Sequence, residues 1–178
     1  MNIYELLERL KEMKTPLFTT NEIARISKLK KPCAIVYIKR MVDKNLLFRV
    51  AKGFYALQKD PFLYASYIIP NSYISFNTAL YLRRAIDQIP TKIYVAVPKR
   101  VKKNVDGVTF IKMPKKAFFA FNSIEYKGYN IWVAEIEKAL IDIKYKFGPP
   151  PKTTKKINKN KIIRYAKKIG INDIEELK

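Results

Sequence analysis

The chain has 178 residues, 48% of them hydrophobic, with 36 Lys and Arg against 15 Asp and Glu and no histidine. That hydrophobic share supports a packed core and excludes wholesale disorder. The missing histidine excludes His-based triads and the usual zinc sites, and the net charge of +21 attracts anions, nucleic acid foremost and an anionic membrane as the competitor.

The charge is spread along the chain, net +7 over residues 1–60, +8 over 61–147 and +6 over 148–178. A compositional bias toward lysine is the bland alternative to a built polyanion surface. One cysteine, Cys33, excludes an intramolecular disulfide and fits a reducing, cytoplasmic location. The opening MNIYELLERLKEM mixes acids with apolar residues and does not read as a signal peptide. Runs such as FLYASYII are too short to span a bilayer.

In chain order, Ile3, Leu6, Leu7 and Leu10 recur at helical spacing over residues 2–13, with Pro16 beyond. A second helix is predicted in FTTNEIARISK, capped by Thr19 or Thr20, with Glu22 in its first turn. A tight turn at Leu29–Lys31 leads to a third helix starting near Pro32. Its buried stripe is Ala34, Ile38, Met41 and Val42, and Asn45 supplies the stop. The period then changes to two through LLFRVAKGFYALQ, a short hairpin turning at Lys52–Gly53.

Three helices and a hairpin in residues 1–59 is the order of a winged helix-turn-helix, whose third helix enters the major groove. The bases fall where phosphates would lie: Lys28, Lys30 and Lys31 before the third helix, Lys39, Arg40 and Lys44 on its open side, Arg49 and Lys52 on the hairpin. Arg40 and Tyr37, both off the buried stripe, are the expected readers of base edges.

Residues 60–147 read as a second, α+β region. A linking helix over 60–69 ends at Pro70. SYISF is strand-like, and NTALYLRRAI is a helix with Asn77 as its expected cap. KIYVAVP is a strand, and PKRVKKN is a basic loop. GVTFIKM, AFFAFNSIEY and GYNIWVAE are strand-like, and EIEKALIDIKYKF is a helix burying Ile136, Ala139, Leu140 and Ile143. The loop bases Lys99, Arg100, Lys102 and Lys103 form a second candidate patch for nucleic acid or a partner. Residues 148–178 read as a basic linker, GPPPKTTKKINKN, and one or two terminal helices.

Three stretches of the second region, SYISFNTALYL (Ser72 to Leu82), QIPTKIYVAVPKR (Gln88 to Arg100) and VAEIEKALID (Val133 to Asp142), resemble in order the signatures of AbiEi-type antitoxins, also described as predicted transcriptional regulators of viral defence systems. The resemblance covers roughly 140 residues and includes the preceding winged helix. It implies double-stranded DNA with operator repeats as one partner, autorepression of a type IV toxin–antitoxin operon, and antagonism of a nucleotidyltransferase-like toxin by the C-terminal domain. Here the third stretch runs at once into GPPPK and a short tail, where the family continues with more helices.

No catalytic residue, cofactor or metal site is expected. Five glycines form no phosphate-binding loop. The rival from another class is a metal-dependent nuclease using Glu135, Glu137 and Asp142; a stand-alone regulator and a protein-binding adaptor are the others. Nothing in the sequence sets the oligomeric state.

Overall fold

The computed structural model describes residues 2–175 and is mixed α and β. Among them no helix is long and apolar enough to cross a membrane. The chain divides into two compact units. The first holds the residues up to Ile68 together with Lys103–Asp106 and Glu125–Ile131; the second holds Ile69–Lys102, Gly107–Ile124 and the residues from Trp132 onward.

In the first unit, helix α1 (Ile3–Glu12) starts at Asn2, whose side chain accepts from the Tyr4 and Glu5 amides at 2.9 Å while Glu5 reaches back to the Asn2 amide. Such a reciprocal box satisfies amides that the first helical turn leaves unpaired. Helix α2 (Thr20–Ser27) repeats the device with Thr19 and Glu22, and ends on Lys28 in the left-handed conformation. Helix α3 (Lys31–Asp43) has Pro32 in its first turn, and Asn45, at φ 56°, stops it.

Strand β1 (Phe18–Thr19) was hidden in the sequence, because two residues show no period. It pairs with β3 (Phe54–Ala56), which pairs with β2 (Phe48–Ala51), giving an antiparallel sheet in the order β1-β3-β2. Leu6, Leu10, Phe18, Ile23, Ile38, Met41 and Leu47 form the core that these elements share. Each large side chain so buried contributes roughly 1.5–3 kcal/mol.

Helix α4 (Pro61–Tyr64) runs into a short 3-10 turn at Ala65–Tyr67, in place of one continuous helix over 60–69. Asp60 caps α4, and its other oxygen accepts from Lys127 at 2.6 Å. Phe62 packs on Tyr126 with centroids 5.7 Å apart.

The larger sheet has the order β6-β5-β4-β8-β7, with β4 (Tyr73–Ile74), β5 (Ile93–Val97), β6 (Val108–Lys112), β7 (Phe121–Tyr126) and β8 (Tyr129–Ala134). Strand β4 is antiparallel to β5 and parallel to β8, and β5 is parallel to β6. Residues 98–107, with the basic loop, are therefore a crossover between parallel strands, which no tight turn could replace. Lys127 and Gly128, both at positive φ, turn β7 into β8. The strand expected across AFFAFNSIEY starts only at Phe121, because Lys115–Ala117 form a 3-10 turn and Ala120 lies at φ 53°.

Helix α5 (Phe76–Leu82) packs on α6 (Ile136–Phe147). The cap position of α5 is Ser75, not Asn77; its hydroxyl donates to Asp142 and makes no capping bond. The stretch 148–158 is held to the second unit: the Thr154 amide donates to the Ala85 carbonyl and the Asn158 amide to Glu137, both at 2.9 Å. Helix α7 (Lys159–Ile169) packs on α6 and buries Ile162, Tyr165, Ala166 and Ile169. The tail thus belongs to the second unit. Of the second terminal helix expected over NDIEELK, residues 172–174 are not helical, and 176–178 lie outside the described residues.

Candidate nucleic-acid interface

Helix α3 buries one side only. Ala34, Ile38 and Met41 face the core, and Val42 packs beside them. One turn is 3.6 residues, so Val36, Lys39 and Arg40 point away, and all three are exposed. Ile35 and Val36 are 50% and 47% exposed. Two branched apolar side chains left to solvent beside two cations is not what solubility alone selects. Composition had marked the cations; the exposed Ile35 was missed, since an apolar residue in a helix reads first as core. Cys33 is exposed on the same helix.

Lys28, Lys30, Lys31, Lys39, Arg40, Lys44, Arg49 and Lys52 are all exposed. Tyr37 is the exception: it is partly buried and packs against the core. Arg40 is exposed where Tyr37 is half-buried, and Ile35, Val36, Lys39 and Arg40 are the exposed residues of this stretch of α3.

A groove of about 610 Å³ opens between the start of α2, the flank of α3 carrying Lys31 and Ile35, and hairpin residues Arg49 and Lys52. The hairpin is fixed in place. The Thr20 amide donates to the Gly53 carbonyl at 3.1 Å, and Lys103 lies 4.0 Å over the Phe54 ring. Gly53, at φ 78°, sits where any side chain would be strained. Three cations, Lys31, Arg49 and Lys52, and no acid line the groove, so its sign is positive.

The four residues of the second candidate patch are divided between the two units. Lys99, Arg100 and Lys102 are exposed on the crossover of the second unit, whereas Lys103 belongs to the first unit, against the hairpin.

The three carboxylates of the nuclease alternative take separate partners. Glu135 accepts from Lys161 at 2.9 Å and from the Tyr165 hydroxyl at 2.8 Å; Glu137 accepts from the Asn158 amide. Burial pushes Glu135 up, but the bonds from Lys161 and Tyr165 outweigh it and hold the carboxyl below its usual range. Asp142 is fully buried, ion-paired with the equally buried Lys138 one turn before it. Ser75 and Tyr73 also donate to it, at 2.7 and 3.1 Å. Burial lowers the Lys138 pKa, raises that of Asp142, and raises that of the Tyr73 hydroxyl. Among the described residues no group of three or more His, Cys, Asp or Glu is arranged to hold a metal.

Sequence reasoning missed the Tyr73–Ser75–Lys138–Asp142 cluster. The i, i+4 spacing of Lys138 and Asp142 was its one visible signal, and it points equally to an exposed pair. Compared with known proteins, the chain matches no family model and no curated protein.

Proposed function

We propose that the first unit is a winged helix-turn-helix that binds duplex DNA, and that the protein is a cytoplasmic transcriptional regulator. The observation that carries this reading is the outward face of α3, where Ile35, Val36, Lys39 and Arg40 stand exposed beside the basic groove lined by Lys31, Arg49 and Lys52. In the reading, α3 lies in the major groove with its apolar pair against thymine methyls and Arg40 on guanine edges, while Lys28, Lys30, Lys31, Arg49 and Lys52 hold phosphates. Cys33 offers a direct test. Duplex DNA should slow the reaction of this single thiol with a maleimide, and Val36→Asp should abolish both that protection and binding measured by fluorescence anisotropy. Unprotected Cys33 under saturating duplex would refute the placement of α3.

The antitoxin role is the further part of the proposal. It is favoured by how the three stretches resembling the AbiEi signatures meet. Tyr73 and Ser75 from the first bond to Asp142 of the third, and β5 from the second pairs with β4. Co-expression with a nucleotidyltransferase-like toxin encoded beside the gene tests it; loss of protection on Lys99/Arg100/Lys102 charge reversal would place the contact on the crossover. No catalytic step belongs to this reading. DNA cleavage in Mg²⁺ or Mn²⁺ that Glu137→Gln removes would overturn that part.

A further inference from the structure

The second unit carries a cleft of about 420 Å³ walled by aromatic and proline side chains. Phe76, Tyr94 and Phe147 meet edge to face, with centroids 5.5 Å apart for Phe76–Phe147, 6.3 Å for Phe76–Tyr94 and 6.4 Å for Tyr94–Phe147. Pro149 to Pro151 form the facing wall. Despite these contacts Phe147 is 59% exposed, so much of the ring is left for another planar group. Asn77 opens onto the same space, and neither its amide nor the Tyr94 hydroxyl hydrogen-bonds to any described residue. A smaller cleft of about 110 Å³ shares both residues.

This lining is specific in its chemistry. Aromatic rings stack on any flat heterocycle. A free carboxamide offers a donor and an acceptor side by side, the pattern displayed by a nucleobase edge. The segment forming the wall is bracketed in sequence by Lys146 and Lys152, both exposed, long cationic side chains within a few residues of the lining. An aliphatic ligand would use neither the amide nor the lysines, and the cleft volume lies in the range of small-molecule sites.

The geometry points to a binding site for a phosphate-bearing nucleobase, stacked on Phe147, read by the Asn77 amide, and steadied through its phosphate by Lys146 and Lys152. It is independent of the duplex-binding surface on α3. The same chemistry is offered by a free nucleotide and by an unpaired base in a single strand.

Isothermal titration of the full chain with ATP, GTP, CTP and UTP separately, and with short single-stranded oligonucleotides, tests the site. Tripolyphosphate and ribose 5-phosphate serve as controls without a base. At least one base-bearing probe should bind, and Asn77→Ala and Phe147→Ala should each weaken it by about tenfold. Phe147→Tyr, which keeps the ring, should restore affinity. Both side chains are exposed, so the variants should keep wild-type circular dichroism and wild-type affinity for duplex DNA. Binding of mononucleotides identifies a free nucleotide as the source, and binding of oligonucleotides alone identifies a strand; either supports the site. The inference is overturned if no base-bearing probe binds, if both alanine variants bind as wild type does, or if tripolyphosphate binds as tightly as the nucleotides. Binding of an acidic, aromatic-bearing peptide without any nucleotide would also overturn it, assigning the cleft to a protein partner.

Discussion

Replacing Lys138 by methionine should destabilise the protein in a way that depends on pH. The substitution keeps the length of the chain lying near the Tyr73 and Phe119 rings, 5.4 and 5.1 Å from the ammonium, but removes the charge facing Asp142. That carboxylate is fully buried and keeps two hydroxyl donors, Ser75 and Tyr73. Breaking a buried pair in this manner costs about 3–5 kcal/mol. The variant can escape part of the cost by protonating Asp142. Taking an aspartate from an unfolded pKa of about 3.9 to the neutral form costs about 4 kcal/mol at pH 7 and about 1.5 kcal/mol at pH 5, at 1.36 kcal/mol per unit. The sign follows from linkage: a carboxyl whose folded pKa is raised lends stability at low pH and loses it as pH rises. Asp142→Asn should show the opposite slope. It leaves Lys138 buried without its partner, and an ammonium whose folded pKa is depressed loses stability as pH falls. Urea unfolding followed by circular dichroism at pH 5, 7 and 9 reads both slopes. At pH 7 the Lys138→Met midpoint should fall by about 2 M, for a denaturant slope of about 2 kcal/mol/M. A loss under about 1 kcal/mol at pH 7, or parallel pH profiles for the two variants, would refute the assignment of a closed, charged pair.

The Arg49→Ala/Lys52→Ala double variant should flatten the salt dependence of duplex affinity by about 1.8 in logarithmic slope, two phosphate contacts at ~0.9 each; an unchanged slope would remove the hairpin from the interface. Arg40→Ala should narrow the gap between specific and random duplex by about 1–3 kcal/mol with little change in salt slope, measured by competition anisotropy. Glu135→Gln should cost about 0.5–1 kcal/mol near neutral pH, small because the Glu135 and Lys161 side chains are both about a third exposed. Since the Glu135 carboxyl is held low, its contribution is present above the unfolded glutamate range and vanishes as pH falls through the folded value. Thermal melts of wild type and variant should therefore differ at pH 7 and converge as the solution is made strongly acid. A fragment ending at residue 59 should melt below the full chain's first unit, because it lacks Phe62, Tyr126 and the Asp60–Lys127 pair.

Much of the first unit was legible because its signals are local. A capping box, a proline in the first turn and an asparagine stop each act within four residues, so the helix limits could be read directly. Strand β1 could not be read, because its two residues are a strand only by virtue of Tyr55 and Phe54 across the sheet. Tyr37 was misplaced for a related reason. A helical wheel puts it off the stripe, yet the core reaches around the helix far enough to hold it. In the second unit the error was larger. Asp142 was weighed only with Glu135 and Glu137, because its burial beside Lys138 depends on Ser75 and Tyr73, more than sixty residues earlier, and no local pattern encodes such a partner. Ser75 sits at the cap position of α5 with its hydroxyl turned to donate to Asp142 and makes no capping bond, an orientation that no local pattern shows.

The first unit is assembled from three separate pieces of chain, the last ending at Ile131. This sets a clock on its biosynthesis. A ribosome adding about 5–20 residues per second needs roughly 3–13 s to pass from Ile68 to Ile131. Helix α3, with the exposed Ile35 and Val36, therefore leaves the ribosomal tunnel seconds before Val105 and Ile131, both buried in the finished unit, can follow it. Nascent chains stalled with residue 68 just outside the tunnel should therefore be more protease-sensitive in residues 1–68 than chains stalled with residue 131 just outside it. Until the last piece arrives, the chain has its basic face but not a finished fold to carry it.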